Sequence, residues 1–136
     1  MGVNSVPLAA EIEDIGPGSG VLLLRLIGEI DMATSDEFRR ALSDLADRRP
    51  TDVIIDASGV SFMDSTGLHA LIEGKRVIHD ARADIILVCS PQVRRILELM
   101  FPAPLFASRV DTMEEALTAL ADRDDGSTRQ SLSSTQ

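Results

Sequence analysis

Residues Val53-Ile54-Ile55-Asp56 form a short, β-branched apolar run, and a helical pattern from about Ser65 to His79 follows it. A run of this kind, bounded by turn residues, is typical of a central strand that is covered on both faces. A second such run, Ile85 to Cys89, also precedes a helical pattern. Alternation of this kind favours a mostly parallel sheet, because each parallel connection needs a crossover that packs a helix on the sheet. The stretch predicts an α/β fold of the α+β-like sandwich type.

Two strands are expected upstream of this stretch. Residues Leu8 to Glu13 and Val21 to Ile27 have strand-like composition, and the glycine-rich segment Gly16 to Gly20 lies between them. Glycine and proline at such a position indicate a tight turn. The chain is therefore predicted to begin with a hairpin.

Two helices flank the central strand. The first is predicted to begin at Thr34, because Glu37 follows it at the spacing of a capping box, and to end before Pro50. The second is the Ser65 to His79 pattern. Their apolar faces, at helical spacing, are Phe38, Ala41, Leu42 and Leu45 in the first helix and Leu68, Leu71, Ile72 and Ile78 in the second.

Two more helices are predicted in the last third of the chain. Ser90-Pro91 supplies an N-cap residue and a first-turn proline, and Thr112 with Glu115 forms another capping-box spacing. Between these helices, Leu105 to Ser108 is a weak candidate for an edge strand. The apolar positions are Val93, Ile96, Leu97 and Met100 in one helix and Ala116, Leu117 and Leu120 in the other. The predicted order is β-β-α-β-α-β-α-β-α, with about four helices.

The chain has the length of one domain. Its 136 residues lie within the ~100–150 residues at which domain sizes cluster. We expect a flexible arm over residues 1–7 and one folded domain over residues 8–123. Residues 124–136 are rich in serine, threonine and glutamine, so we expect a disordered tail there.

Charge and composition exclude several classes of function. The net charge of −9 opposes attraction to nucleic-acid backbones and to anionic membranes. No apolar run approaches the ~20 residues of a membrane span, and the first residues do not resemble a secretory signal. We expect a cytoplasmic protein whose partners are proteins or small molecules. Cys89, the single cysteine, ends an apolar run and is interpreted as a core residue.

Candidate functional residues lie in two segments that follow predicted strands. Sites in open parallel sheets gather in the loops at the carboxyl ends of strands. These loops are predicted to be Gly28-Glu29-Ile30-Asp31 and the segment Phe62 to Gly67. If their strands are neighbours, Asp31, Asp64 and Ser65 meet at one edge of the sheet. The candidate partner-binding residues are Asp31, Phe62, Met63, Asp64, Ser65, Thr66 and Gly67.

The residues alone leave a simpler interpretation open. In this interpretation, Asp64 or Ser65 is simply the N-cap residue of the second helix, and Phe62 is simply a core residue. A serine hydrolase would use Ser65 with His69, but a nucleophile elbow needs glycine at the position of Met63. Two histidines and one cysteine on separate elements match no metal-ligand spacing. We expect no catalytic residue, no metal and no cofactor.

The run Val60-Ser61-Phe62-Met63-Asp64-Ser65-Thr66-Gly67-Leu68 resembles the anti-sigma factor antagonists, which are built on the STAS domain. The preceding segments Val53 to Asp56 and Gly28 to Asp31 fit the same family. The resemblance covers about Leu8 to Arg123 in element order. It implies a single STAS domain with a mixed, mostly parallel sheet and no enzymatic activity of its own.

The resemblance also implies a switch between protein partners. In this family, the serine after the motif aspartate is phosphorylated by an anti-sigma factor that is an ATP-dependent Ser kinase, and a metal-dependent Ser/Thr phosphatase removes the phosphate. Ser65 is the matching position, and Thr66 is the second choice. The unphosphorylated form captures the anti-sigma factor and frees the sigma factor for transcription, so nucleic acid is affected only indirectly. The alternative within this fold is a non-switching scaffold or a small subunit of a signalling or lipid-transport complex.

Overall fold

Five strands form one mixed sheet in the computed structural model, which describes residues 7–100 and 108–122. They are β1 (Ala9–Gly16), β2 (Val21–Ile30), β3 (Asp52–Met63), β4 (Asp84–Cys89) and β5 (Ser108–Val110). The strands lie side by side in chain order. β1 pairs antiparallel with β2, and the other three pairs are parallel. The predicted hairpin and the mostly parallel sheet are confirmed.

The helices cover both faces of this sheet. They are α1 (Ser35–Asp47), α2 (Ser65–Asp80), α3 (Pro91–Met100) and α4, residues 113–122. A large apolar cluster joins one sheet face to α1, α2 and α3. A smaller cluster joins the other face to Ala116 of α4. The predicted element order is confirmed. None of the helices within the described residues combines the length and the apolar character that a membrane crossing requires.

The predicted apolar faces of the helices are buried or partly buried, with two exceptions. Phe38 and Leu45 are fully buried in α1, and Leu68, Leu71 and Ile78 are buried in α2. Met100 and Leu117 were predicted to face inward but are 57% and 49% exposed. Met100 is the last residue of α3, and α4 packs through Met113, Ala116, Ala119 and Leu120 instead. The apolar face of α4 is therefore rotated away from Leu117.

β2 and β3 extend further than the sequence predicted. Their predicted ends were Ile27 and Asp56, whereas the strands continue to Ile30 and Met63. Ser58 and Gly59, which are typical turn residues, lie instead at a shift in the pairing register with β2. Asp56 Oδ1 accepts hydrogen bonds from the N–H of Ser58 at 3.0 Å and from its hydroxyl at 2.6 Å. These bonds satisfy the backbone locally, so the strand can continue through the irregularity.

Gly28 allows β2 to pass close to the backbone of Pro7 and Leu8. Its φ is +121°, and a Cβ at this position would collide with the carbonyl oxygen of Pro7. Glycine has no Cβ and tolerates positive φ, so it meets both demands. The predicted loop Gly28 to Ile30 is therefore part of a strand, and the connection to α1 begins at Asp31.

One predicted helix cap is wrong and two are confirmed. Thr34 is the N-cap of α1, but its side chain makes no capping hydrogen bond. Instead, its hydroxyl donates to the Glu29 carbonyl oxygen at 2.8 Å. Ser90 caps α3 by accepting from the N–H of Val93 at 3.2 Å.

Thr112 and Glu115 form the second predicted capping box, at the start of α4. The Glu115 N–H donates to Thr112 Oγ1 at 3.1 Å, and the Glu115 carboxylate accepts from the Thr112 hydroxyl at 3.2 Å and from the Asp111 N–H at 3.1 Å. The described edge strand is β5 at Ser108–Val110. Of the predicted edge strand Leu105 to Ser108, residues 105–107 lie outside the described residues. Residues 1–6 of the predicted arm and the whole predicted tail, residues 124–136, also lie outside them.

Candidate functional site

The carboxyl ends of β2 and β3 meet at one edge of the sheet. Ile30 and Met63, the last residues of the two strands, are paired in parallel register. The N–H of Asp64 donates to the Ile30 carbonyl oxygen at 3.1 Å, which extends the pairing by one residue. We call this edge, residues 31–33 and 62–67, the rim. The prediction that the two candidate segments lie together is confirmed.

Asp64 caps α2 at the rim. Its Oδ1 accepts a hydrogen bond from the N–H of Gly67 at 3.0 Å, and its carbonyl oxygen accepts from the N–H of Leu68 at 2.9 Å. This is the geometry of an N-cap residue, whose side chain satisfies one of the first-turn N–H groups. The capping role that the sequence left open for Asp64 is confirmed.

We expect an Asp64→Ala substitution to lower the free energy of unfolding by about 1 kcal/mol, because the Gly67 N–H loses its acceptor. Chemical denaturation monitored by circular dichroism measures this change. Asp64→Asn is the matched control, because its side-chain oxygen can still accept the hydrogen bond while the charge is lost. A loss for asparagine as large as that for alanine would contradict the capping explanation.

Ser65 presents its hydroxyl group at the first residue of α2. The residue is exposed, whereas Thr66 is half-buried. Within residues 7–100 and 108–122, the structure gives the Ser65 side chain no hydrogen-bond partner. An exposed, unengaged hydroxyl at a helix start is accessible to an enzyme that modifies it. Of the two candidate hydroxyl groups, Ser65 is the more accessible.

Two large apolar side chains are exposed at the rim. Phe62 is 46% exposed and Met32 is 78% exposed. Met63, between Phe62 and Asp64, is 3% exposed and belongs to the core. The alternative that Phe62 is a core residue is therefore wrong. Strand alternation explains the difference, because successive side chains of β3 point to opposite faces of the sheet. Met63 was a predicted partner-binding residue, but its side chain is not available at the surface.

Met32 was missed by the sequence analysis. It follows Asp31 in the connection between β2 and α1, and a large apolar residue in a short connection was the available signal. The predicted strand end at Ile27 obscured that signal, because it placed the turn too early. Both side chains offer exposed apolar area at the rim.

Asp31 organises the turn into α1. Its Oδ1 accepts hydrogen bonds from the N–H groups of Ala33 at 2.9 Å and Thr34 at 3.1 Å. The residue is half-buried and lies at the same sheet edge as Asp64. Its hydrogen bonds are directed to the α1 turn. Its carboxylate still adds negative charge to the rim.

Gly67 allows α2 to pack closely against the end of β2. A Cβ at this position would lie 2.6 Å from Ile30 Cγ2 and 2.8 Å from the Ile30 carbonyl oxygen. Glycine at this position therefore permits the close approach of α2 to the backbone of β2. This contact sets the distance between the first turn of α2 and the rest of the rim.

The remaining candidates for reactive chemistry lie apart from one another. His69 and His79 are both exposed on α2. Cys89 is buried, and burial raises the pKa of its thiol to about 11, so the thiol is protonated at neutral pH. In the part of the chain that the structure describes, no group of three or more His, Cys, Asp or Glu side chains converges as a metal site would require.

Comparison with known proteins assigns the chain to a family. The model of the STAS domain matches residues 14–101, which include the whole rim. An anti-sigma F factor antagonist of Paenibacillus polymyxa is 30% identical over 102 residues, covering 71% of this chain and 86% of that protein. The chain belongs to the anti-sigma factor antagonists built on the STAS domain.

Two further antagonists resemble this STAS protein. An anti-sigma-F factor antagonist of Mycobacterium tuberculosis is 29% identical over 102 residues, covering 75% of this chain and 83% of that protein. The crystal structure of an anti-sigma factor antagonist from Mycobacterium paratuberculosis matches with a TM-score of 0.69 and 27% identity, covering 82% of this chain and 92% of that chain. The fold and family that the motif around Ser65 predicted are confirmed.

Proposed function

We propose that this STAS protein is a reversible switch that binds an anti-sigma factor through the rim while Ser65 is unphosphorylated and releases it when Ser65 carries phosphate. The anti-sigma factor is then also the kinase. Ser65 Oγ displaces ADP from the γ-phosphoryl group of ATP, and the hydroxyl proton passes to a base of the kinase. A metal-dependent Ser/Thr phosphatase hydrolyses the phosphoserine and restores the binding form. The setting is cytoplasmic, and sigma-factor-dependent transcription is the process under control.

The observation that carries this proposal is the exposed Ser65 hydroxyl at the start of α2, in the same rim as the exposed side chains of Phe62 and Met32. A docked partner covers apolar area at this surface and also covers the hydroxyl. Modification of that one oxygen therefore acts inside the contact area. A phosphoryl group adds about −1.5 to −2 charge and three acceptor oxygens there.

The first turn of α2 can accommodate Ser65 both without and with a phosphoryl group. The N–H groups of Gly67 and Leu68 donate to Asp64. The N–H groups of Ser65 and Thr66 have no acceptor among the described residues. Unsatisfied N–H groups and the helix dipole favour an anion at this end by about 0.3–1 kcal/mol. The phosphorylated protein therefore remains folded, and the effect of the phosphate is exerted on the partner.

Charge at the rim makes the phosphorylated interface unfavourable. Asp64 precedes Ser65 directly, and Asp31 lies at the same sheet edge. Burial of an unpaired dianion between proteins costs more than the ~1.4 kcal/mol that corresponds to tenfold weaker binding. Loss of the partner is the expected consequence of phosphorylation.

The experiment that tests the proposal is incubation of the purified protein with the kinase anti-sigma factor and ATP, followed by intact mass measurement. We expect the mass to increase by one phosphoryl group, because Ser65 is the most accessible rim hydroxyl. Ser65→Ala is expected to abolish the gain, and Thr66→Ala, the matched control, is expected to retain it.

Two outcomes would contradict this assignment. Quantitative phosphorylation of Ser65→Ala, with loss in Thr66→Ala, would move the acceptor to Thr66. No phosphorylation of the unmodified chain by any kinase anti-sigma factor that binds it would favour a non-switching scaffold or a small subunit of a larger complex.

A further inference from the structure

Ser65 and His69 share the solvent face of α2. The residues at positions 65, 69, 73, 76 and 80 are exposed, whereas Leu68, Leu71 and Ile78 are buried against the sheet and the neighbouring helix. Residues four apart in an α-helix lie one above the other. His69 is therefore the ionisable side chain one turn below the Ser65 hydroxyl, about 6 Å along the helix axis.

The direction of helical side chains brings the two groups together. Each Cα–Cβ bond in an α-helix tilts toward the N-terminus, so a side chain covers the turn that precedes it. A His69 ring that follows this direction covers the turn that holds Ser65. Its imidazolium form has two N–H donors. Among the described residues, the structure gives the His69 ring no hydrogen-bond or ion-pair partner.

Within the described residues, the charged groups of α2 and the rim that the structure places nearest to His69 have other partners or lie farther along the helix. Glu73, one turn after His69, accepts a hydrogen bond from Arg39 of α1, with 3.2 Å between Arg39 Nη2 and Glu73 Oε1. Arg76 lies about 16 Å from Ser65 along the axis. The carboxylates of Asp64 and Asp31 accept backbone N–H groups at the rim. Strands β3 and β4 contact the buried side of α2, away from His69.

We propose that His69 is the positioning residue for the phosphoryl group on Ser65, donating a charge-assisted hydrogen bond to a phosphate oxygen one turn toward the N-terminus. The inference rests on the proposed phosphorylation of Ser65. The pair forms only in the phosphorylated state, because the Ser65 hydroxyl is uncharged. It draws the phosphate along the outer face of α2 and away from the Asp64 carboxylate.

The pair has a measurable electrostatic signature. A dianion one turn away stabilises the protonated His69 ring, so phosphorylation raises the midpoint of the titration of that ring. By the same linkage, the phosphoserine titrates at lower pH when His69 is present. Both effects shrink as ionic strength increases, because the pair is exposed.

The test uses the full chain with phosphoserine encoded genetically at position 65, so that no kinase is needed. NMR titration of the imidazole ring protons is compared with and without the phosphate. His79 is the internal control, because it is exposed on the same helix but about 21 Å from Ser65. We expect phosphorylation to raise the midpoint of the His69 titration and to change the midpoint of the His79 titration by less than a quarter of that rise.

A phosphorus NMR titration of the phosphoserine gives the reciprocal measurement. We expect the His69→Gln substitution to raise the pH at the midpoint of the phosphoserine titration. We expect the matched His79→Gln substitution to leave that pH unchanged. Equal shifts in the titration midpoints of both histidines would overturn the proposed pair of His69 and phosphorylated Ser65. A phosphoserine titration that His69→Gln does not change would overturn it as well. These results are independent of the kinase experiment, since failure of a kinase to modify Ser65 would overturn the switch without changing the titrations.

Discussion

A Ser65→Asp substitution is expected to weaken binding to the anti-sigma factor at least tenfold, which corresponds to about 1.4 kcal/mol. The carboxylate places a permanent negative charge at the start of α2, directly after Asp64 and at the same sheet edge as Asp31. Within the free protein, the helix dipole compensates part of this charge. Within an interface the charge is desolvated and unpaired, and that cost is larger than the compensation.

Ser65→Asn is the matched control, because its side chain has the size of aspartate without the charge. We expect Ser65→Asn to bind much more tightly than Ser65→Asp. Ser65→Ala is expected to bind constitutively in the presence of ATP, because it has no hydroxyl to phosphorylate. Titration calorimetry with the purified anti-sigma factor measures all three. Equal losses of affinity for Ser65→Asp and Ser65→Asn would indicate that the size of the side chain excludes the partner. Tight binding of Ser65→Asp would contradict the proposal that negative charge releases the partner.

A Gly67→Ala substitution is expected to lower the free energy of unfolding by about 2–3 kcal/mol. The added Cβ would lie 2.8 Å from the Ile30 carbonyl oxygen and 3.0 Å from Met63 Cγ. The carbonyl oxygen belongs to the backbone of β2, which is held by strand pairing and cannot rotate away. Relief of the contact therefore requires α2 to move outward from the rim. Urea denaturation measures the loss of stability.

Gly74→Ala is the matched control, because Gly74 lies on the same helix and is also buried. The three atoms nearest to its Cβ would all belong to the side chain of Leu42, with Cδ1 in the closest contact, Cγ at 3.0 Å and Cδ2 at 3.1 Å. A leucine side chain can adjust, and alanine has a helix propensity better than that of glycine by about 1 kcal/mol. We expect the net change for Gly74→Ala to be within about 1 kcal/mol of zero. An equal loss in both variants would contradict the argument from the Ile30 backbone.

Local patterns predicted most of the helices correctly. The apolar spacing in α1 and α2 identified Phe38, Leu45 and Leu68 as core residues, and all three are buried. The caps at Ser90 and Thr112 were also predicted correctly. These features depend on residues within one or two turns of each other, so the sequence contains the information that specifies them.

Strand ends were predicted less accurately, because they depend on partners distant in the sequence. Ser58 and Gly59 have the composition of a turn, yet β3 continues through them while it pairs with β2. The Thr34 cap failed for a similar reason. Its hydroxyl is engaged by the Glu29 carbonyl oxygen, whose position depends on where β2 ends. Propensity is overridden by strand pairing at Ser58 and Gly59, and by a hydrogen bond to the end of β2 at Thr34.

The amino-acid sequence alone determined the order of the elements, the start of α2 at Ser65 and the motif that identifies the family. Each of these follows from short-range spacing or from a contiguous run of residues. Only the tertiary structure decided that Phe62 and Met32 are exposed, that Met63 is buried and that Ser65 is more accessible than Thr66. Side-chain exposure at the rim depends on the register of Ile30 with Met63, and that register is set by pairing between strands separated by an entire helix.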